Sequence, residues 1–299
     1  MSCPDCFRGG IAESKPTGSE EVIHGRSTYV AKPEPGVTPK GLIIFITDAF
    51  GWKFVNNRVL SDRYAKAGFL VYCPDFMDGT AVPGFELDFQ AFGYFDKIME
   101  PKSWTETLCK PYYIFHALRL ALPFRTKASI PITHPRVISY LQDVRRAEAP
   151  FPTENLKVGV AGFCWGAKHG VLLSHDKAES RVQRHASQKS SSQSEPQPLI
   201  DAFFAAHPSY FEVPQDIDAI VVPTSIAVGD VDMAMKGPVA QQAKKALEAK
   251  SDAGQHEFVI MPGAKHGFAV RTKPDDPHQQ ECADKAEAQA VAWFTKWLS

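Results

Sequence analysis

The chain predicts an α/β fold, a doubly wound and mostly parallel sheet with helices on both faces. Three observations carry this. Short apolar runs alternate with segments of helical spacing along most of the 299 residues. The clearest run, GLIIFIT at 41–47, is apolar and β-branched throughout, as suits a strand buried on both faces. And at 156–170, LKVGVAGFCWGAKHG, a strand passes straight into a helix through a turn that places Cys164 between Gly162 and Gly166.

Each element has its own signal. Residues 1–20 are rich in Gly, Pro, Ser and Glu and are expected to be a mobile N-terminal segment, so the domain is expected over 21–299. Residues 21–31 suit one or two edge strands, and the Pro-rich 32–40 a turn. After the strand at 41–47, Val59, Leu60 and Tyr64 mark a helix over 57–67 that Gly68 ends. A strand follows at 69–73. Residues 74–105 show no long element and follow a strand end, a placement suited to covering a site. Helices are expected at 107–122 and at 132–146, the latter bounded by Pro131 and Pro150.

After the Cys164 turn, a helix is expected to about 174. The Ser/Gln-rich 176–198 reads as a disordered surface insertion. Strands at 199–206, 221–228 and 257–261 alternate with helices at 237–250 and 281–298. The last helix has an apolar side of Val291, Phe294, Trp297 and Leu298, which reads as core. There is no internal repeat and no glycine-rich nucleotide motif.

Composition narrows the function. With 44% hydrophobic residues a sizeable core can form. A net charge of −1 offers no attraction to nucleic acid or to an anionic membrane. The first residues lack an apolar signal region, and no run of apolar residues is long enough to span a bilayer. A soluble, cytoplasmic protein acting on a small molecule is therefore expected. Six cysteines are too few for a disulfide framework here, and a free nucleophilic thiol suits a reducing compartment. Cys3 and Cys6 form a lone C-x-x-C that no second pair completes, so no metal site is expected.

The chemistry collects at strand ends. Gly162-Phe163-Cys164-Trp165-Gly166 is a nucleophile-elbow pattern with Cys where Ser is usual. The turn is sharp and the flanking positions are crowded, which calls for glycine. The sulfur then projects alone, beside a helix N-terminus that favours the thiolate. Three other strand ends carry reactive groups: Asp48-Ala49-Phe50, Gly229 to Asp232, and Lys265-His266. His266 lies after the last strand and before the last helix, where the base of such a triad belongs. His207, at another strand end, is the second choice. For the acid, Asp230 and Asp232 are equal by position. The order nucleophile, acid, histidine is that of α/β-hydrolases.

Together, Gly-Phe-Cys-Trp-Gly, the Gly-x-x-Asp of 229–232, the Lys-His-Gly-Phe around His266 and the Asp-Ala-Phe-Gly of 48–51 resemble the dienelactone hydrolase family, most closely its fungal branch. The resemblance implies an α/β-hydrolase fold, a Cys164-Asp232-His266 triad, and hydrolysis of an ester or enol-lactone without metal or cofactor. It implies an oxyanion hole from the backbone N–H groups of Ala49 and Trp165. Where the bacterial type enzyme has a glutamate that helps to activate the thiol, this chain has Asp48, one methylene shorter, followed by Ala49 and Phe50. Arg271 lies one place out of register with the family's carboxylate-binding arginine. Arg271, Trp104 and His207 are the candidates for contacting substrate, and Phe76, Phe85 and Phe89 for lining the pocket. Two alternatives remain: a thioesterase or acyltransferase on the same triad, and a non-catalytic scaffold that binds a small ligand. A third, a redox thiol, lacks a resolving cysteine near Cys164.

Overall fold

The computed structural model describes residues 12, 14–81, 97–98, 103–188, 195–250, 254–272 and 275–299. Among these residues, eight strands form one sheet: β1 (Ser19–Ile23), β2 (Arg26–Ala31), β3 (Leu42–Ile46), β4 (Leu70–Pro74), β5 (Val158–Phe163), β6 (Ala202–Ala206), β7 (Thr224–Gly229) and β8 (His256–Met261). Their order is β1-β2-β4-β3-β5-β6-β7-β8. β2 pairs antiparallel with both β1 and β4, and every other pairing is parallel. The helices among the described residues are α1 (Val55–Lys66), α2 (Trp104–Leu108), α3 (Lys110–Lys127), α4 (Ile130–Arg146), α5 (Trp165–Ser174), α6 (Gln215–Asp218), α7 (Gly237–Glu248) and α8 (Pro277–Leu298).

The two faces can be read from adjacent residues of β6. Phe203 turns toward α5, where a β-carbon on Gly170 would stand 2.0 Å from its ring. Phe204 turns the other way and meets Phe294 of α8 at 6.4 Å. Phe294 also meets Tyr64 of α1 and Phe69, so α1 and α8 share that face. The core strands are therefore buried on both sides, which explains their unbroken apolar sequences. Truncating fully buried Phe294 to Ala would cost about 3–5 kcal/mol.

Several boundaries differ from expectation, each for a local reason. α4 starts at Ile130, because Pro131 occupies its first turn, where proline is tolerated. α3 runs on through Pro123 to Lys127. β7 starts at Thr224, since the N–H groups of Val221 and Val222 both donate to Ser174 O at the end of α5 (2.9 and 3.1 Å). β6 starts at Ala202, since Leu199 O and the Asp201 carboxylate are taken up by Arg145. α8 starts earlier, at Pro277, where the Asp276 side chain accepts from Gln279 N–H.

The expected disordered insertion at 176–198 is a correction over its described residues. Val182 bridges Gln197. Arg184 Nη2 donates to Pro198 O at 3.0 Å and pairs with Asp201. Buried Gln188 donates to Val144 O and Ala147 O (2.6 and 2.7 Å). A few inward polar side chains thus pin a segment whose composition reads as solvated. Within the expected mobile segment 1–20, the N–H of Ala12 donates to Asn56 Oδ1, that of Thr17 to Asp62 and that of Gly18 to Tyr29. Cys3, Cys6, Phe85 and Phe89 lie outside the described residues. Among the described residues no helix is long and apolar enough to cross a membrane.

Strand order reverses between β3 and β5: β4 lies outside one and β6 outside the other. Ligands of open α/β sheets bind beyond the carboxyl ends of strands at such a switch point. Here those ends lead directly into Asp48-Ala49-Phe50 and Cys164.

Candidate active site

Cys164 sits between β5 and α5 with φ 51° and ψ −110°, a conformation that an L-residue adopts only when its surroundings force it. The two glycines permit it. A β-carbon on Gly166 would stand 2.1 Å from Ile46 O, and one on Gly162 would stand 2.8 Å from Gly166 O. The turn is tied to its neighbours through Cys164 N–H to Ala206 O (3.3 Å) and Gly166 N–H to Thr47 O (3.1 Å). Trp165 opens α5, so its N–H has no acceptor within the helix. Its indole is fixed by Nε1–H to Ala128 O (2.8 Å) and by the His169 ring at 4.4 Å.

The loop after β8 brings His266 Nε2 to 3.2 Å from Cys164 Sγ. On the other side of the ring, Nδ1 lies 2.9 Å from both Asp232 oxygens. Asp232 is fixed in turn, its Oδ1 accepting from the N–H groups of Ala234 (2.7 Å) and Met235 (3.2 Å). Asp230, the rival by position, instead accepts from Gly263 N–H at 2.6 Å and is a turn residue. All three side chains of the Cys164–His266–Asp232 line are buried. Burial alone would favour a neutral His266. The Cys164 sulfur and the Asp232 carboxylate outweigh it and push the imidazole pKa up to about 10.

Two residues near this line were not legible as partners. Ser209 Oγ lies 3.3 Å from Cys164 Sγ and 3.4 Å from His266 Nε2, and its N–H donates to Cys164 O at 3.1 Å. Asn57 donates to Asp48 Oδ1 (3.0 Å) and to Gly51 O (3.0 Å), and so shapes the 48–51 loop. The only sequence signal for Ser209 was its position just after a strand end.

His207 is fully buried beside His266, ring to ring at 5.1 Å, with Phe163 and Phe268 on its other sides. Burial, against the nearby Cys164 sulfur, lowers its pKa to about 4, so it packs as a neutral ring. Asp48 is buried, and burial raises its pKa while Arg271 opposes the rise. Its Oδ1 also accepts from Phe50 N–H (3.2 Å), while Oδ2 faces Arg271 Nε at 3.4 Å. Arg271 is itself buried, its guanidinium 4.8 Å above the Phe50 ring and packed against Gly267. Ala49, in the turn closed by Gly51 N–H to Asp48 O, is half-buried. Trp104 is 73% exposed on α2. Phe76 packs into the core against Tyr140 at 5.4 Å.

A model of the dienelactone hydrolase family matches residues 27–298. The chain belongs to this family. Among its relatives, the hydrolase pyvD of Aspergillus violaceofuscus is 25% identical over 98% of this chain and 96% of its own length. Dienlactone hydrolase 1 of Gibberella moniliformis is 23% identical over 98% of this chain and 93% of its own. The crystal structure of a dienelactone hydrolase from Anabaena variabilis shares the fold, with a TM-score of 0.56 at 17% identity, covering 96% of this chain and all of that one. As the family's fold requires, the sheet is a mostly parallel α/β-hydrolase sheet with helices on both faces.

Proposed function

We propose that this protein hydrolyses carboxylic esters or lactones with Cys164 as nucleophile, His266 as base and acid, and Asp232 as the group that orients His266. The observation that carries the proposal is the unbroken line from Cys164 Sγ to His266 Nε2 at 3.2 Å and from His266 Nδ1 to Asp232 at 2.9 Å. The reaction begins as the Cys164 thiolate attacks the carbonyl carbon. The oxyanion that forms is held by the N–H groups of Ala49 and Trp165, which flank the elbow from β3 and α5. Collapse breaks the C–O bond, His266 gives its Nε2 proton to the departing oxygen, and a thioester remains on Cys164. His266, now neutral, takes a proton from water as the water attacks the thioester. The acid leaves and the thiolate–imidazolium pair is restored.

A thiolate is itself a good leaving group, so the first tetrahedral intermediate reverts when the alternative leaving group is poor. Enol-lactones, enol esters, aryl esters and thioesters are therefore the favoured substrates, and amides are not. Arg271 supports an acidic substrate. None of its three guanidinium nitrogens meets a hydrogen-bond acceptor in good geometry among the described residues, and a carboxylate would supply one. A panel of lactones, enol-lactones, aryl esters and thioesters tests the reading. Turnover of at least one class, abolished in Cys164→Ala, is the expected result; activity retained in Cys164→Ala would exclude it.

A further inference from the structure

We infer that Ser209 is a second donor to the Cys164 thiolate, the group that keeps the sulfur charged in a chain where Asp48 is turned elsewhere. The inference rests on the proposal that Cys164 is the nucleophile. The Asp48 carboxylate is oriented by other groups than the sulfur. Its Oδ1 takes the Asn57 amide and Phe50 N–H, and its Oδ2 faces Arg271. Ser209 Oγ, in contrast, stands 3.3 Å from Sγ and 3.4 Å from His266 Nε2.

Proton counting fixes the direction of these bonds. A hydroxyl has one hydrogen and can accept through its lone pairs. With His266 as imidazolium, Nε2–H donates to the sulfur. The Ser209 oxygen can then only accept from Nε2–H, which leaves its own hydrogen for Sγ. The thiolate thus receives the neutral Ser209 hydroxyl as a donor beside the charged Nε2–H. In the uncharged state Sγ–H points to Nε2 and the sulfur needs no second donor. Ser209 therefore favours the charged pair over the neutral one.

The backbone holds Ser209 for this task. His207 and Tyr210 on either side have φ of 39° and 64°, a left-handed region uncommon for residues other than glycine. The turn is secured by His207 N–H to Ala227 O (2.9 Å) and Ser209 N–H to Cys164 O (3.1 Å). The second bond ties Ser209 to the nucleophile itself.

The test is the rate of Cys164 alkylation by iodoacetamide as a function of pH. The label is assigned to Cys164 by peptide mapping, because Cys109 is exposed and would also react. In Ser209→Ala the acid limb should move up by about one pH unit, so that Cys164 reacts about tenfold more slowly on that limb than in the wild type. Ser209→Thr and Ser209→Val are nearly the same shape, and only Thr keeps the hydroxyl. Thr should follow the wild-type profile and Val the Ala profile. If Val and Thr give the same limb, or if Ala and Val both coincide with wild type, the inference is wrong. Esterase activity surviving in Cys164→Ala would instead overturn the nucleophile assignment, a result separate from the Ser209 comparison.

Discussion

His266 Nε2 meets Cys164 Sγ at 3.2 Å although the two residues are 102 positions apart in the chain. The parallel sheet is the cause. β5 and β8 run in the same direction, so the loops that leave their carboxyl ends open on the same edge.

Asp232 acts on His266 from the far side of the ring. Its Oδ1 also accepts from two backbone N–H groups, and an Asn could keep those bonds. Asp232→Asn should therefore still fold, with a lowered thermal midpoint because buried His266 loses its carboxylate partner. Its kcat should fall by roughly 10- to 100-fold, less than the ~10⁴-fold loss in a serine triad, because the thiolate already neutralises the imidazolium. Steady-state kinetics on an aryl ester check this. A loss as complete as that of Cys164→Ala, or no loss, would contradict it.

The raised pKa of His266 also sets a pH dependence of stability. A group with a raised folded pKa contributes stability that is complete below its ordinary value, about 6.5 for histidine. The contribution is lost as pH climbs through the folded value near 10. The unfolding free energy of wild type relative to His266→Gln, from urea titrations, should shrink steadily between these limits. A difference that stays flat or grows with pH would show that the ring is not held protonated.

Asp48 is the place where this chain departs from the bacterial type enzyme, and its geometry makes a distinct prediction. Asp48→Asn keeps the acceptor for Asn57 but sets an amide N–H against Arg271 Nε, 3.4 Å away in the wild type. A buried charge left without its partner costs about 3–5 kcal/mol, readable as a lowered urea midpoint. The alkylation limb of Cys164 should stay in place or move to lower pH, since a negative neighbour of the sulfur has gone. A limb that moves up would mean that Asp48 activates the thiol directly.

The parts of the site legible in the sequence are those that local sterics encode. Gly162 and Gly166 stand where a β-carbon would strike backbone, so the two glycines alone mark the elbow in the sequence. The alternation of buried strands and helices likewise announces the doubly wound sheet. Asp232 and Asp230 cannot be separated by position, because the choice depends on which way the turn faces: one toward His266, the other toward Gly263 N–H. Ser209 is hidden for a different reason. It reaches the sulfur only because β6 lies next to β5 and two non-glycine residues adopt left-handed conformations. The strands β6 and β7 are shorter than their apolar sequences suggest, because the first apolar residues serve other bonds, to Arg145 and to Ser174 O.

The central claim is that an acyl group passes through Cys164. Rapid acid quench during turnover of an aryl ester, followed by peptide mass mapping, tests it most directly. One acyl group should appear on the peptide that contains Cys164, accumulating within the first turnover and absent from Cys164→Ala. An acyl group on Ser209 or any other residue, or turnover that continues in Cys164→Ala, would contradict it.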